Sequence, residues 1–262
     1  MTLTGTGAGG IADRLVAKRH ALPLSIALHL APGAIITAGY VLVGAPLMTQ
    51  LNWPPLLGLV LAMCVLLVPM ELGLLLYLGR RRNGRASLRG VLDYVDRPTR
   101  PGPLAGIVAG LIVVVIVVSF VLSPLNNMIY KYLFSWIPFE STGGAGGFIA
   151  GYPRATVVIT LAVSVVLSGI VLPAIEELYF RGFLLPRLAH LGRWAPVLNT
   201  ALFSLYHFWT PWLFLSRLGF FLPTVWATWR KKDLRISLWV HCGANTLTQS
   251  VVLIAVLFGV GS

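Results

Sequence analysis

The sequence predicts an all-α fold, a polytopic transmembrane helical bundle of about seven spans. Three observations lead there. Hydrophobic residues make up 57% of the 262 positions and charged ones 11%, against about a quarter charged in soluble domains. Mean hydropathy is +0.84, so water could not solvate this surface and the bilayer must act as solvent. The 20 Lys and Arg, against 8 Asp and Glu, gather in short segments between long apolar runs, the distribution that the positive-inside rule describes. Strands are not required, because helices satisfy their own backbone groups in lipid.

The elements follow in order. Residues 1–20 read as a cytoplasmic N-terminal tail ending in a short basic helix with Arg14, Lys18 and Arg19. The apolar stretch after it exceeds the 7–15 residues of a signal-peptide core, so it is expected to stay as the first span. Residues 21–262 form a single transmembrane bundle, with the chemistry-bearing core at about 155–260. Span 1 covers about 22–49, with a kink at Pro32-Gly33, and span 2 about 54–79. Segment 80–103 holds seven arginines, Arg97 among them, against Asp93 and Asp96. It is placed in the cytoplasm. Span 3 runs about 104–124. Segment 125–154, with Trp136, Pro138 and the glycine run 143–147, reads as an external loop. The run lacks a following Gly-Lys-Ser/Thr and is no phosphate loop.

Span 4 covers about 155–178, and Arg181, Arg187 and Arg193 mark the return to the cytoplasm. Span 5 is short, about 195–209. Span 6 covers about 211–229, and span 7 about 236–259, after the basic loop Arg230–Arg235. The formal charge of +12 is assigned to membrane lipids, with anionic headgroups as the contact, and not to nucleic acid. Cys64 and Cys242 sit inside apolar runs and form neither a disulfide framework nor a zinc pattern.

Acids are scarce, and three of the eight, Glu71, Glu176 and Glu177, lie in or against apolar segments. A charge at the bilayer centre costs at least about 2.5–3.5 kcal/mol, which makes each a functional candidate. Arg181 follows Glu177 by four and shares its helix face, while Glu176 lies about 100° around. Glu177 is therefore expected to be a structural ion pair and Glu176 the reactive carboxylate. The alternative is that both simply pair with cations at the interface. For Glu71, in VPMELG, the alternatives are an ion pair with a headgroup-level arginine or a place in the same cavity.

His207 and His241 lie in separate apolar segments. Phe203 precedes His207 by four and could wall a pocket, and Asn245 follows His241 by four. An amide beside an imidazole suits an oxyanion site, and packing with interhelical hydrogen bonds is the plainer reading. His20 and His190 read as interfacial, and His29 has no acidic neighbour in sequence. There is no GxGD or GxSxG motif. Ser204, three before His207, leaves a Ser/His pair open by geometry.

The set Glu-Glu-x-x-x-Arg, then Phe-x-x-x-His, then His-x-x-x-Asn, on successive helices across about 170–250, resembles the CAAX-protease and bacteriocin-processing family, which includes the Rce1-type prenyl proteases and bacterial Abi proteins. The resemblance implies an intramembrane endopeptidase in which Glu176 and His207 activate a water, and His241 and Asn245 stabilise the tetrahedral oxyanion. Its substrate would be a peptide or membrane protein. Because Glu176-Glu177 fall at the cytoplasmic end of span 4, cleavage is expected near the cytoplasmic leaflet, in a cavity opening inward.

Glu176, His207 and His241 could also hold a catalytic zinc with one open position. No HExxH is present, and metal-free glutamate chemistry stays open beside it. Two other classes remain. One is a non-catalytic membrane scaffold or bacteriocin-immunity protein of the same fold. The other is a small transporter using Glu71, Glu176 and the histidines, although no repeat of the transporter type is visible. The short, Arg-rich chain suits a bacterial plasma membrane.

Overall fold

The computed structural model describes residues 11–96, 98–136 and 148–259. Arg97, Pro138 and the glycine run 143–147 lie outside the described residues, as do residues 1–10 of the expected tail. Among the described residues the regular elements are helices: α1 (Ile11–Val16), α2 (Leu22–Gln50), α3 (Pro55–Asn83), α4 (Pro101–Phe134), α5 (Arg154–Arg187), α6 (Trp194–Tyr206), α7 (Phe214–Lys231) and α8 (Leu234–Leu257). Short 3-10 turns at Ala189–Leu191 and Pro211–Leu213 join α5 to α6 and α6 to α7.

Five helices, α2 to α5 and α8, are long and apolar enough to cross a membrane, where about seven spans were expected. The difference lies in α6 and α7. At 13 residues, α6 reaches about 20 Å, short of the roughly 30 Å of hydrocarbon. Helix α7 has 18 residues but carries Arg217, Arg230 and Lys231. Both pack inside the polytopic bundle, and Asn199, Thr200, Phe203 and Tyr206 of α6 are buried. Two other boundaries move. Helix α4 continues through Pro124 to Phe134, taking up residues expected in an external loop. Helix α5 continues through Pro173 and Pro186 to Arg187, so Arg181 is part of the helix and fully buried.

The prolines explain how these helices stay continuous. Proline has no N–H, so the carbonyl four residues earlier loses its partner, and in lipid no water replaces it. Three widened, π-helical turns each contain such a carbonyl: Tyr40–Gly44 before Pro46, Leu167–Val171 before Pro173, and Leu178–Leu184 before Pro186. Neighbouring elements then satisfy the freed carbonyls. The Thr246 hydroxyl donates to the Gly169 carbonyl at 3.1 Å, and the Asp93 N–H to that of Gly182 at 2.8 Å. Before Pro32 in α2, the Tyr179 hydroxyl donates to the Leu28 carbonyl at 2.9 Å. Asn245 adds a bond to the Ser168 carbonyl at 3.2 Å. These bonds lock α5 against α2, α8 and the basic loop.

Close backbone contacts set the remaining crossings, since apolar side chains gain little by leaving lipid for one another. Gly44 of α2 and Gly58 of α3 face each other's carbonyls, where a Cβ would stand 2.6–2.9 Å from oxygen. A Cβ on Gly33 would overlap the Tyr206 carbonyl, so α6 lies directly on α2. A polar network joins three helices. The His29 Nδ1–H donates to the Ser25 carbonyl at 2.7 Å, and Asn199 Nδ2 donates to His29 Nε2 at 2.9 Å and to the Phe180 carbonyl at 3.0 Å. His190 is exposed, as an interfacial residue should be, but His20 is buried and its Nε2 donates to the Leu15 carbonyl at 2.7 Å.

Candidate active site

Glu176 and Glu177 occupy a short α-helical stretch of α5 between two widened turns. Such turns re-aim side chains and recur at functional sites. The two carboxylates leave the helix in different directions. Glu177 is fully buried, and its Oε1 lies 3.2 Å from Arg181 Nη1. The Arg181 guanidinium stands 3.8 Å above the Phe203 ring and 5.4 Å from that of Phe221. Aromatic faces thus complete the neutral cage around a buried cation. Phe203 serves here as a platform for the ion pair rather than as a wall of the cavity.

His241 of α8 connects the two glutamates. Its Nδ1 donates to Glu177 Oε1 at 2.8 Å, and its Nε2 lies 3.9 Å from Glu176 Oε2. His207 follows the last turn of α6. Its Nδ1 donates to the Phe203 carbonyl at 2.8 Å, so in the neutral ring Nε2 keeps its lone pair. The ring stacks edge-on to Phe203, with centroids 4.8 Å apart, and lies 4.9 Å from Trp209. Asn245 donates one amide N–H to Ser168 and retains a second. Ser204 donates to the Thr200 carbonyl at 2.9 Å, which occupies its hydroxyl away from the histidine.

Glu176, His207, His241 and Asn245 line one cavity of about 750 Å³. Glu177 and Arg181 lie behind its wall. The cavity does not run toward the basic loops, as the sequence led us to expect. Its lining comes from the first turns of α3 (Leu56, Leu59), the later part of α4 (Ser123, Asn126, Asn127) and the later part of α8 (Thr248, Gln249). Those helix ends lie opposite the ends that carry Arg80–Arg82, Arg187 and Arg230. Residue spacing along a helix gives the face of a side chain, but not which end of the bundle is hollow.

Three further groups border the site. Arg217 of α7 lines the cavity and is a charge neighbour of Glu176 and His207. Its guanidinium donates to the carbonyl and hydroxyl of Thr210 and so ties down the turn that follows His207. An arginine inside an apolar segment was a readable signal. Glu71 is fully buried in a widened turn of α3, and both its oxygens lack a hydrogen-bond partner. It is neither paired with an interfacial arginine nor part of the cavity lining. It sits behind the wall as an electrostatic neighbour of Glu176 and Arg181, with the Tyr206 hydroxyl beside both glutamates but in ordinary hydrogen-bond geometry to neither. Nothing in the spacing announced Tyr206.

Among the described residues, no group of three or more His, Cys, Asp or Glu side chains is arranged to hold a metal ion. Glu176, His207 and His241 share the cavity, and each ring has Nδ1 engaged and Nε2 free. It is their spacing that falls short of a ligand cluster, and no chemical step is derived through a metal.

No curated protein and no solved structure matches this chain. Residues 158–247 match the family model Rce1-like, described as type II CAAX prenyl endopeptidase Rce1-like. Every candidate residue from Glu176 to Asn245 lies within that match, so the segment that carries the site is the segment similar to the Rce1-like family.

Proposed function

We propose that this multi-pass membrane protein is an intramembrane endopeptidase of a bacterial plasma membrane, with Glu176 as the general base. One observation carries the reading. The carboxylate that has no arginine partner, both histidines and the asparagine line a single cavity, while the carboxylate paired with Arg181 lies with it behind the wall. The Glu176 carboxylate takes a proton from a water, assisted by the free lone pair of His207 Nε2. The water oxygen attacks the peptide carbonyl carbon, and the π electrons move onto its oxygen. His241, held by Glu177, and the spare N–H of Asn245 stabilise that oxyanion when His241 Nε2 carries a proton. The intermediate collapses as the C–N bond breaks and Glu176 returns its proton to the departing amine, leaving a carboxylic acid and an amine that exchange a proton to give a carboxylate and an ammonium.

The substrate is a peptide or membrane-protein segment. It enters through the cavity end away from the basic loops, so cleavage takes place toward that leaflet rather than the cytoplasmic one. The test uses the purified chain in proteoliposomes with a membrane-anchored reporter peptide. Glu176→Gln, His207→Ala and His241→Ala should each lower kcat by about 10²–10⁴-fold while the protein still inserts, and Glu176→Gln should melt as before. Undiminished cleavage by Glu176→Gln would overturn the mechanism. A scaffold of the same fold would keep its biological effect in all three variants.

A further inference from the structure

A second cavity, of about 1230 Å³, lies at the basic end of the bundle. It is independent of the catalytic site, and no chemistry proposed above uses it. We propose that it binds a phosphate-bearing anionic headgroup, with an anionic phospholipid as its source.

The cavity is a built feature and not a gap between loose segments. Its roof is the loop between α3 and α4, and five hydrogen bonds pin that loop to other elements. The Asp93 N–H donates to the Gly182 carbonyl at 2.8 Å, and the Leu234 N–H to the Tyr94 carbonyl at 2.9 Å. The Thr99 N–H donates to Asp233 Oδ2 at 2.7 Å, Arg235 Nη2 to the Thr99 carbonyl at 2.7 Å, and Arg187 Nη2 to the Val91 carbonyl at 3.2 Å. Tyr94 adopts a positive φ of 64°, a conformation that a non-glycine residue keeps only where its surroundings enforce it.

The lining is lopsided in charge. Lys18, Arg82, Arg89, Arg187, Arg230 and Lys232 surround it, against Asp93 and Asp96. They come from four separate parts of the chain, which a plain inside-positive loop would not require. Asp93 is already engaged by Arg187 at 3.5 Å. Arg187 itself is almost fully buried, and its Nε has no hydrogen-bond partner. Beside these cations stand Leu88, Leu92 and Trp229. A cationic pocket with an apolar wall at the basic end of a helical bundle suits a charged headgroup with a glycerol backbone attached. A small soluble anion would leave the apolar wall uncovered.

The experiment measures binding to the delipidated full chain in detergent by native mass spectrometry. The probes are phosphatidylglycerol, phosphatidylcholine and inorganic pyrophosphate. The native chain should bind phosphatidylglycerol at least tenfold more tightly than phosphatidylcholine. The triple variant Arg82→Gln/Arg89→Gln/Arg230→Gln, all at exposed positions, should lose that preference. A control variant, Lys131→Gln/Arg154→Gln, removes two cations remote from this cavity and should keep it. Tight pyrophosphate binding lost in the triple variant, with no lipid preference, would keep the phosphate chemistry and assign a soluble source. Equal losses in the triple and control variants, or no binding above the triple variant's level, would overturn the proposal. None of these outcomes depends on peptide cleavage, so the protease reading and this site can fail separately.

Discussion

At the scale of single residues, the division between Glu176 and Glu177 is the central fact. Helical spacing made the Glu177–Arg181 pair legible, because residues four apart share a face. The same rule placed Phe203 beside His207, but as a pocket wall, whereas its ring lies under Arg181 and its carbonyl accepts from His207 Nδ1. The contact between His241 and Glu177 was not legible, because it joins residues 64 apart in sequence on different helices. The partition has an energetic consequence. Glu177→Gln leaves the Arg181 cation fully buried and uncompensated, which costs about 3–5 kcal/mol. Glu176→Gln keeps the Glu177–Arg181 pair that neutralises the buried cation. Thermal melts in detergent should therefore fall sharply for the first variant and hold for the second, the reverse of what two equivalent glutamates would give. Glu71 makes an opposite case. Both its oxygens are buried without a partner, so Glu71→Leu should raise the melting temperature, since an unsatisfied buried group costs about 1–3 kcal/mol. A lowered melting temperature would show that its carboxyl group holds the fold.

At the scale of elements, apolar run length located every long helix, but prolines misplaced their ends. Pro186 and the nearby arginines read as the end of a span. The helix in fact passes through, because a widened turn and the Asp93 N–H accommodate the freed Gly182 carbonyl. That compensation comes from a loop nearly ninety residues away in sequence, so local patterning could not reveal it. The start of α8 shows how such loops are held. Asp233 caps the helix by accepting the Arg235 N–H at 3.1 Å, and it also accepts Arg235 Nε at 3.0 Å and the Thr99 N–H at 2.7 Å. Burial pushes its carboxyl up, and the bonds from Arg235 and Thr99 outweigh that, leaving it at about 2 instead of 3.8. A carboxylate lowered in the folded state stabilises above its unfolded value, and this contribution is lost as pH falls from about 3.8 toward 2. Asp233→Ala should therefore cost about 1 kcal/mol at neutral pH. Its melting curve should converge with that of the native chain as the pH is lowered through that window. A constant difference down to pH 2 would show that the charge on Asp233 is not what caps α8.

At the scale of the molecule, two cavities occupy opposite ends of one bundle. The basic-end cavity is bordered by a pinned loop, and the other descends past Glu176. Hydrolysis deep in a bilayer needs water and an entry for substrate. The polar stripe Ser119, Ser123 and Asn127 of α4 lines the second cavity from the non-basic end, a wall that water can wet. Neither motif spacing nor charge counting carried this information, because hollowness depends on how neighbouring helices diverge. Site access can be read from which side of the membrane labels a cysteine. In a background with Cys64 and Cys242 replaced by alanine, Ser123→Cys reports the cavity and Arg85→Cys reports the basic loop. A membrane-impermeant maleimide added to sealed, oriented vesicles should modify the two from opposite faces. Preincubation with the reporter peptide should slow labelling of Ser123→Cys and leave Arg85→Cys unaffected. Labelling of both positions from the same face would mean that substrate reaches Glu176 past the arginines, and cleavage would then move back to the leaflet of the basic loops.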